Sequence, residues 1–264
     1  MATHAGPSLS FGVLKTRSAV ATAQYWNPIL RHVSQKSGVP LKLRLARSGA
    51  EHATMIIRGE LDFIYSNYQF ASENEGVGYR VIARPLGAAM RSQIIVPADS
   101  SLHSLDTLRG QDVAFVSPGA FAGYMLPMDA LLHARIPVKQ RFGGTPEGAM
   151  GQMLSGRAQA AAVNADIARE YAGRKKIAYR VLWSSQEYPA IPVAAHPAVP
   201  ADTVAAVRDA LLKMVDDPQG RKILAASAPL FGEQAIDGFA AASESEYDSL
   251  RRFHKIRLAP RGTP

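Results

Sequence analysis

The sequence predicts an α/β fold in two lobes joined by a hinge, on three observations. Apolar strands with a period of two alternate with amphipathic helices along the whole chain, the order expected of largely parallel sheets covered by helices. Extended, proline-marked segments near 97–101 and 189–192 offer two places where the chain can cross between lobes. The buried run 113–116 ends in Ser117-Pro118-Gly119 and opens into a helix, the strand–turn–helix junction at which α/β proteins hold ligands. The expected boundaries are residues 1–98 with 192–264 for lobe 1 and 99–191 for lobe 2. Two crossings make a hinge, and a central cleft is where a small molecule would sit.

Each element has a local reason. Ser8–Leu14 alternates as a strand and ends in the polar loop Lys15-Thr16-Arg17-Ser18. A helix over 21–37 gathers Tyr25, Trp26, Ile29, Leu30 and Val33 on one face, stops at Gly38, and should kink or restart at Pro28. Leu41–Ala46 is a second strand, 49–58 a short helix stopped by Gly59, and Leu61–Tyr65 a third strand that breaks at Ser66-Asn67 into another short helix. Strands follow over 79–86 and 92–97, and then a short helical linker over 102–110. Past the central turn, whose helix Ser117 should cap with Pro118 in its first position, the helix breaks or restarts at Pro127 and carries on to about 134. A strand over 138–142 leads to Thr145-Pro146, an N-cap and first helical residue, and to a helix ending at Gly156. Strands are expected at 158–163 and 177–184, extended chain at 189–197, and helices at 201–215, 220–227 and about 239–255.

Composition narrows the function. The 264 residues carry 47% apolar and 20% charged side chains, a net charge of +8 and a pI of 9.8, ordinary for a globular protein but basic. The arginines and lysines are scattered and not interleaved with aromatics, so no nucleic-acid stripe is expected. A basic surface suits an anionic ligand through long-range attraction. The absence of cysteine excludes disulfides, thiolate metal sites and cysteine nucleophiles. No apolar run approaches membrane-spanning length, and Met1–Pro7 has no signal-peptide pattern. The seven histidines show no metal-ligand spacing, Gly143-Gly144-Thr145 lacks the Gly-Lys-Ser/Thr end of a phosphate loop, and no G-x-S-x-G elbow occurs. No catalytic residue, metal site or cofactor is expected.

The central turn is the first candidate site. Gly119 lets the backbone approach a ligand without a Cβ in the way. The helix beyond it should aim unpaired N–H groups and the positive end of its dipole at an anion.

Four local sequences in this order resemble the phosphate/phosphonate-type, PhnD-like periplasmic solute-binding proteins of ABC transporters. They are Phe11-Gly-Val-Leu14, Arg58-Gly-Glu-Leu-Asp-Phe63, Ser117-Pro-Gly with Gly123-Tyr-Met-Leu-Pro127, and Leu154-Ser-Gly-Arg-Ala-Gln-Ala-Ala-Ala-Val163. The resemblance runs from about Leu9 to Phe253. It implies a periplasmic-binding-protein-like (type II) fold that closes on a small oxyanion and hands it to a membrane permease. A monomer is expected, in the periplasm, with its signal segment outside these residues.

Carried over position by position, the ligand loops are Lys15, Thr16 and Arg17; Tyr65, Ser66 and Asn67; Ser117, Gly119, Ala120, Phe121 and Ala122; Thr145; and Asn164. The departures are informative. Family members usually offer a Ser-Thr-Ser run where this chain has Ala120-Phe121-Ala122. A family histidine corresponds to Pro146, and Asn164 stands where an acid is common. Each hydrogen bond to a charged oxyanion is worth roughly 1.5–3 kcal/mol. The expectation is therefore a kept fold with a changed ligand: a less charged anion, or one with an apolar or aromatic part that Phe121 would face. A ligand-sensing domain of a signalling protein is the alternative. An enzyme on this fold is disfavoured by the lack of a nucleophile–base pair.

Overall fold

The computed structural model describes residues 8–87, 89–232 and 235–260; the Met1–Pro7 stretch lies outside them. The chain divides into two compact units, one of residues 8–87 and 189–255, the other of 89–188 and 256–260.

The first unit is built on a six-stranded sheet. Its elements are β1 (Leu9–Val13), α1 (Ala19–Ser37), β2 (Leu41–Arg44), α2 (Gly49–Ile57), β3 (Phe63–Tyr65), β4 (Arg80–Pro85), and later β10 (Val193–Ala195), α6 (Ala201–Leu212), α7 (Pro218–Ser227), β11 (Phe239–Ala241) and α8 (Asp248–Ile256), whose last residue belongs to the other unit. The order is β11-β4-β10-β3-β1-β2. β1 pairs in parallel with β2 and β3, while β10 runs antiparallel to β3 and β4, and β11 antiparallel to β4. Phe11, Trp26, Ile29, Val33, Phe63 and Leu211 form a core in which none is more than 1% exposed. α1 runs unbroken through Pro28, with Ser18 as its N-cap and a left-handed Gly38 (φ 72°) as its stop.

The second unit has a five-stranded sheet ordered β7-β6-β8-β5-β9. It comprises β5 (Ser92–Pro97), β6 (Asp112–Phe115), α3 (Leu126–His133), β7 (Lys139–Phe142), α4 (Pro146–Leu154), β8 (Ala160–Asn164), α5 (Ala165–Lys175) and β9 (Tyr179–Ser184). β6, β7 and β8 are parallel neighbours, and β5 runs antiparallel to β8 and β9. Both faces of this sheet are packed: Ile94, Phe115 and Leu131 lie in one core, Ile95, Met150 and Val163 in another. Burial on both faces is why these strands read as apolar runs rather than alternations.

Several expectations need correction. Both sheets are mixed rather than largely parallel. The units change at 88/89 and 188/189 instead of 98/99 and 191/192, because β5 hydrogen-bonds with β8 and β9. Residues 256–260 join the second unit, where the Leu258 and Ala259 N–H groups donate to Asp129 Oδ1 at 2.6 and 3.1 Å. The expected 239–255 helix is strand β11 followed by α8, since edge pairing with β4 claims Phe239–Ala241. Helix α5 has no counterpart in the sequence reading; its polar face masks the period, and only Ile167, Ala168 and Ala172 are buried.

Candidate functional site

In the second unit the C-terminal ends of three parallel strands share one sheet edge. Gly143 N–H donates to Phe115 O at 2.8 Å and Gly144 N–H to Val116 O at 2.9 Å, which locks the turn after β7 to the turn after β6. β8 pairs Ala161 with Ala114; the same register carried three residues further levels Asn164 with Ser117. Ser92, at the start of antiparallel β5, pairs directly with Asn164. A helix starts at each of the three ends. Ligands of open α/β sheets bind outside such carboxyl ends.

The helix after β6 starts later than the sequence suggests. Ser117 does not cap it. Residues 117–120 form a turn closed by Ala120 N–H donating to Ser117 O at 3.0 Å, and the helical path begins at Phe121 as a single wide π turn, Phe121–Met125, before α3. The π turn is set by sequence on both sides. Pro127 in the first turn of α3 lacks an N–H to donate backwards. Gly123 lies so close to β6 that a Cβ there would fall 2.3 Å from Val116 Cγ2. Its carbonyl accepts from Val116 N–H at 3.0 Å.

Ala122 and Phe121 are 8% and 7% exposed. Ser92 Oγ donates to Ala122 O at 2.6 Å, and the Phe121 ring meets Tyr188 edge-on at 5.1 Å. The turn is thus held by a buried serine and backed by two aromatic rings, and it offers no side-chain hydroxyl at 120–122. Ser117, Gly119 and Ala120 are half-buried.

The other two helix starts are chemically different. Thr145 Oγ1 accepts from Gly148 N–H at 3.0 Å, and Asn164 Oδ1 accepts from Asp166 N–H at 2.8 Å and Ile167 N–H at 3.2 Å. Both candidate ligand groups are therefore N-caps, as Thr145 was also expected to be. Glu147 and Asp166 sit in the first turns of α4 and α5, where their charge offsets the helix dipole and disfavours an anion. The first turn at Phe121 carries no acid.

The first unit has a comparable edge. Leu14 N–H donates to Tyr65 O at 2.9 Å, which brings the ends of β1 and β3 together, and Ser66 N–H donates to Pro192 O at 3.2 Å. Lys15, Thr16 and Arg17 lie between β1 and α1, half-buried, and α1 has no acid in its first turn. Lys15 Nζ donates to Arg47 O at 3.0 Å and an Arg17 NH2 group to Phe231 O at 3.3 Å, so both cations also brace neighbouring loops. The Tyr65 ring packs on Trp26 at 4.7 Å, and burial raises its hydroxyl pKa.

Ser66 and Asn67 are buried, and the sequence reading passed over what surrounds them. His52, 2% exposed, places Nε2 3.1 Å from Ser66 Oγ. Burial, aided by the Lys15 charge, lowers its pKa to about 4, so the ring is neutral. Gln69 is 4% exposed. The only local signal for it was a polar residue set between Tyr68 and Phe70. Among the described residues there is no cluster of histidine and acidic side chains suited to a metal, and no helix long and apolar enough to cross a membrane.

Known proteins agree with this architecture. The family model for the phosphonate ABC transporter periplasmic substrate-binding protein matches residues 11–247. The structure superposes on a binding-protein component of an ABC phosphonate transporter from Pseudomonas aeruginosa with a TM-score of 0.74, 17% identity, and coverage of 94% of this chain and 87% of the other. It superposes on PhnD1 from Prochlorococcus marinus in complex with methylphosphonate at a TM-score of 0.76, 16% identity, and coverage of 94% and 97%. A Xanthomonas citri protein bound to ATP gives 0.74, 19% identity, and coverage of 94% and 96%. Among curated sequences, the tetrathionate sensor histidine kinase TtrS of Salmonella typhimurium is 25% identical over 173 residues, 58% of this chain. The chain spans 28% of that kinase's length. The chain belongs to the periplasmic phosphonate substrate-binding family of ABC transporters, and its α/β fold is that of the two-lobe binding proteins.

Proposed function

We propose that this member of the phosphonate substrate-binding family is a receptor for a small anion other than a simple alkylphosphonate, one that carries an apolar part, and that it delivers this solute to an ABC permease. Family members are periplasmic, and such receptors bind a small ligand for transport; a periplasmic, non-enzymatic, monomeric role is proposed for this chain on that basis. The observation that carries the reading is the turn before Phe121. It keeps the family's strand–turn–helix path and an acid-free helix start, yet sets aromatic rings and no side-chain hydroxyl at 120–122 where hydroxyls would grip a dianion. Lys15 and Arg17, ahead of an equally acid-free α1, supply positive charge on the first unit. The positive end of a helix dipole suits a singly charged or diffuse anion. A compact dianion needs more charge-assisted bonds.

Calorimetric titration with methylphosphonate, phosphate, sulfate, tetrathionate, lactate and benzoate tests this. We expect binding confined to anions of low charge density. Micromolar affinity for methylphosphonate would overturn the changed ligand.

A second reading has one observation of its own. The match to a tetrathionate sensor kinase fits a sensing domain, with tetrathionate as the anion to try first. A kinase segment encoded downstream of this stretch would favour it; a neighbouring permease gene would favour transport.

A further inference from the structure

The loop after β3 is pinned at both ends. Tyr68 N–H donates to Ser66 Oγ at 3.1 Å, and Asn74 Nδ2 donates to Tyr68 O at 2.8 Å. Phe70 stacks on Tyr247 at 4.8 Å and 13°, with the Arg251 guanidinium 4.9 Å from its ring centre. Between these anchors Gln69 is 4% exposed, and neither its Oε1 nor its Nε2 has a hydrogen-bond partner. Asn67, 5% exposed, likewise has no partner for Oδ1. Native proteins pair nearly all buried polar groups. A leucine would fill the volume of Gln69 without an unmet amide. A buried carboxamide kept at such a cost, in the turn 68–70 that follows β3, marks a place where structural economy has yielded to recognition.

We infer that Gln69, assisted by Asn67, is the specificity-determining residue of the first unit, and that it recognises a hydroxyl or carboxamide on the solute. This rests on the receptor reading given above and names the class of solute more closely: a small anion that also bears a group able to donate and accept. Such a group meets both unpaired atoms of the Gln69 amide, and the Asn67 oxygen accepts a second donor. A site built to pair a polar group discriminates strongly against the analogue that lacks it, because its own buried groups are then left unmatched.

Matched pairs test the inference on the full chain: 2-hydroxyethylphosphonate against ethylphosphonate, and lactate against propionate, titrated calorimetrically into wild type and Gln69→Leu. In at least one pair the hydroxylated member should bind wild type at least ~10-fold tighter, the scale of one polar contact. Gln69→Leu should shrink that preference to about twofold or less and leave the plain analogue unaffected. The ligand-free variant should melt no lower than wild type, since no internal partner is lost. If Gln69→Leu fails to fold, Gln69→Met serves in its place. A preference that survives the substitution, or equal binding within both pairs by wild type, overturns the role of Gln69 and leaves the receptor reading standing. A lower melting temperature of both ligand-free variants, Gln69→Leu and Gln69→Met, overturns it too, by revealing an internal partner. If no member of either pair binds while another anion of the titration series does, this inference falls and the receptor reading stands; if none of those anions binds either, both fall.

Discussion

His52 Nε2 and Ser66 Oγ lie 3.1 Å apart, with His52 2% and Ser66 0% exposed. The Ser66 hydroxyl oxygen already accepts from Tyr68 N–H, so its proton is available to a neutral imidazole. The pair ties α2 to the loop that carries Asn67 and Gln69.

This pairing makes stability pH-dependent with a definite sign. The His52 pKa is lowered from 6.5 to about 4 in the folded state, chiefly by burial. Above 6.5 the ring is neutral in both states and its contribution is fully present. As the pH falls toward 4 the unfolded chain takes up the proton first, and up to about 3 kcal/mol is lost. Urea unfolding between pH 7.5 and 4.5 should show this decline, and His52→Gln should flatten it. An unchanged slope in the variant would remove His52 as the cause.

Gly123 is required by contact rather than by backbone angle. A Cβ would lie 2.3 Å from Val116 Cγ2 and 2.7 Å from Val116 Cβ, and the two backbones are joined by a hydrogen bond that resists separation. Gly123→Ala should destabilise the protein by about 1–3 kcal/mol and weaken anion binding more than remote changes of equal cost. A melting curve that matches wild type would show that the turn yields freely.

Ser92 holds the same turn from the other side. Ser92→Ala leaves the Ala122 carbonyl without its buried donor and should cost about 1–3 kcal/mol. Chemical denaturation measures it; a change under a few tenths would mean that the carbonyl finds another donor.

Thr145 and Asn164 are expected to act in folding before binding. Thr145→Ala and Asn164→Ala should each cost about 1 kcal/mol through loss of an N-cap, while Thr145→Ser and Asn164→Asp retain stability. Large losses of anion affinity at unchanged stability would return both residues to the ligand shell.

The loop positions were legible because strand ends, glycines and prolines are local signals. Ser117-Pro118-Gly119 is a turn, Thr145-Pro146 opens α4, and Ser66-Asn67 ends β3, as sequence reading expects. The helix start at Phe121 was not legible. It depends on Gly123 packing against Val116 and on Ser92 reaching from a strand 30 residues away in sequence.

The sequence by itself determined the alternation of strands and helices, the family, and the absence of hydroxyls at 120–122, because periodicity, turn chemistry and residue identity are properties of neighbours along the chain. Only the tertiary structure decided that β5 belongs with the second sheet, that Ser92 reaches the Ala122 carbonyl, and that Gln69 is buried with its amide unpaired. Partner choice among buried polar groups is settled by what distant strands bring within about 3 Å, and a one-dimensional pattern does not encode that distance.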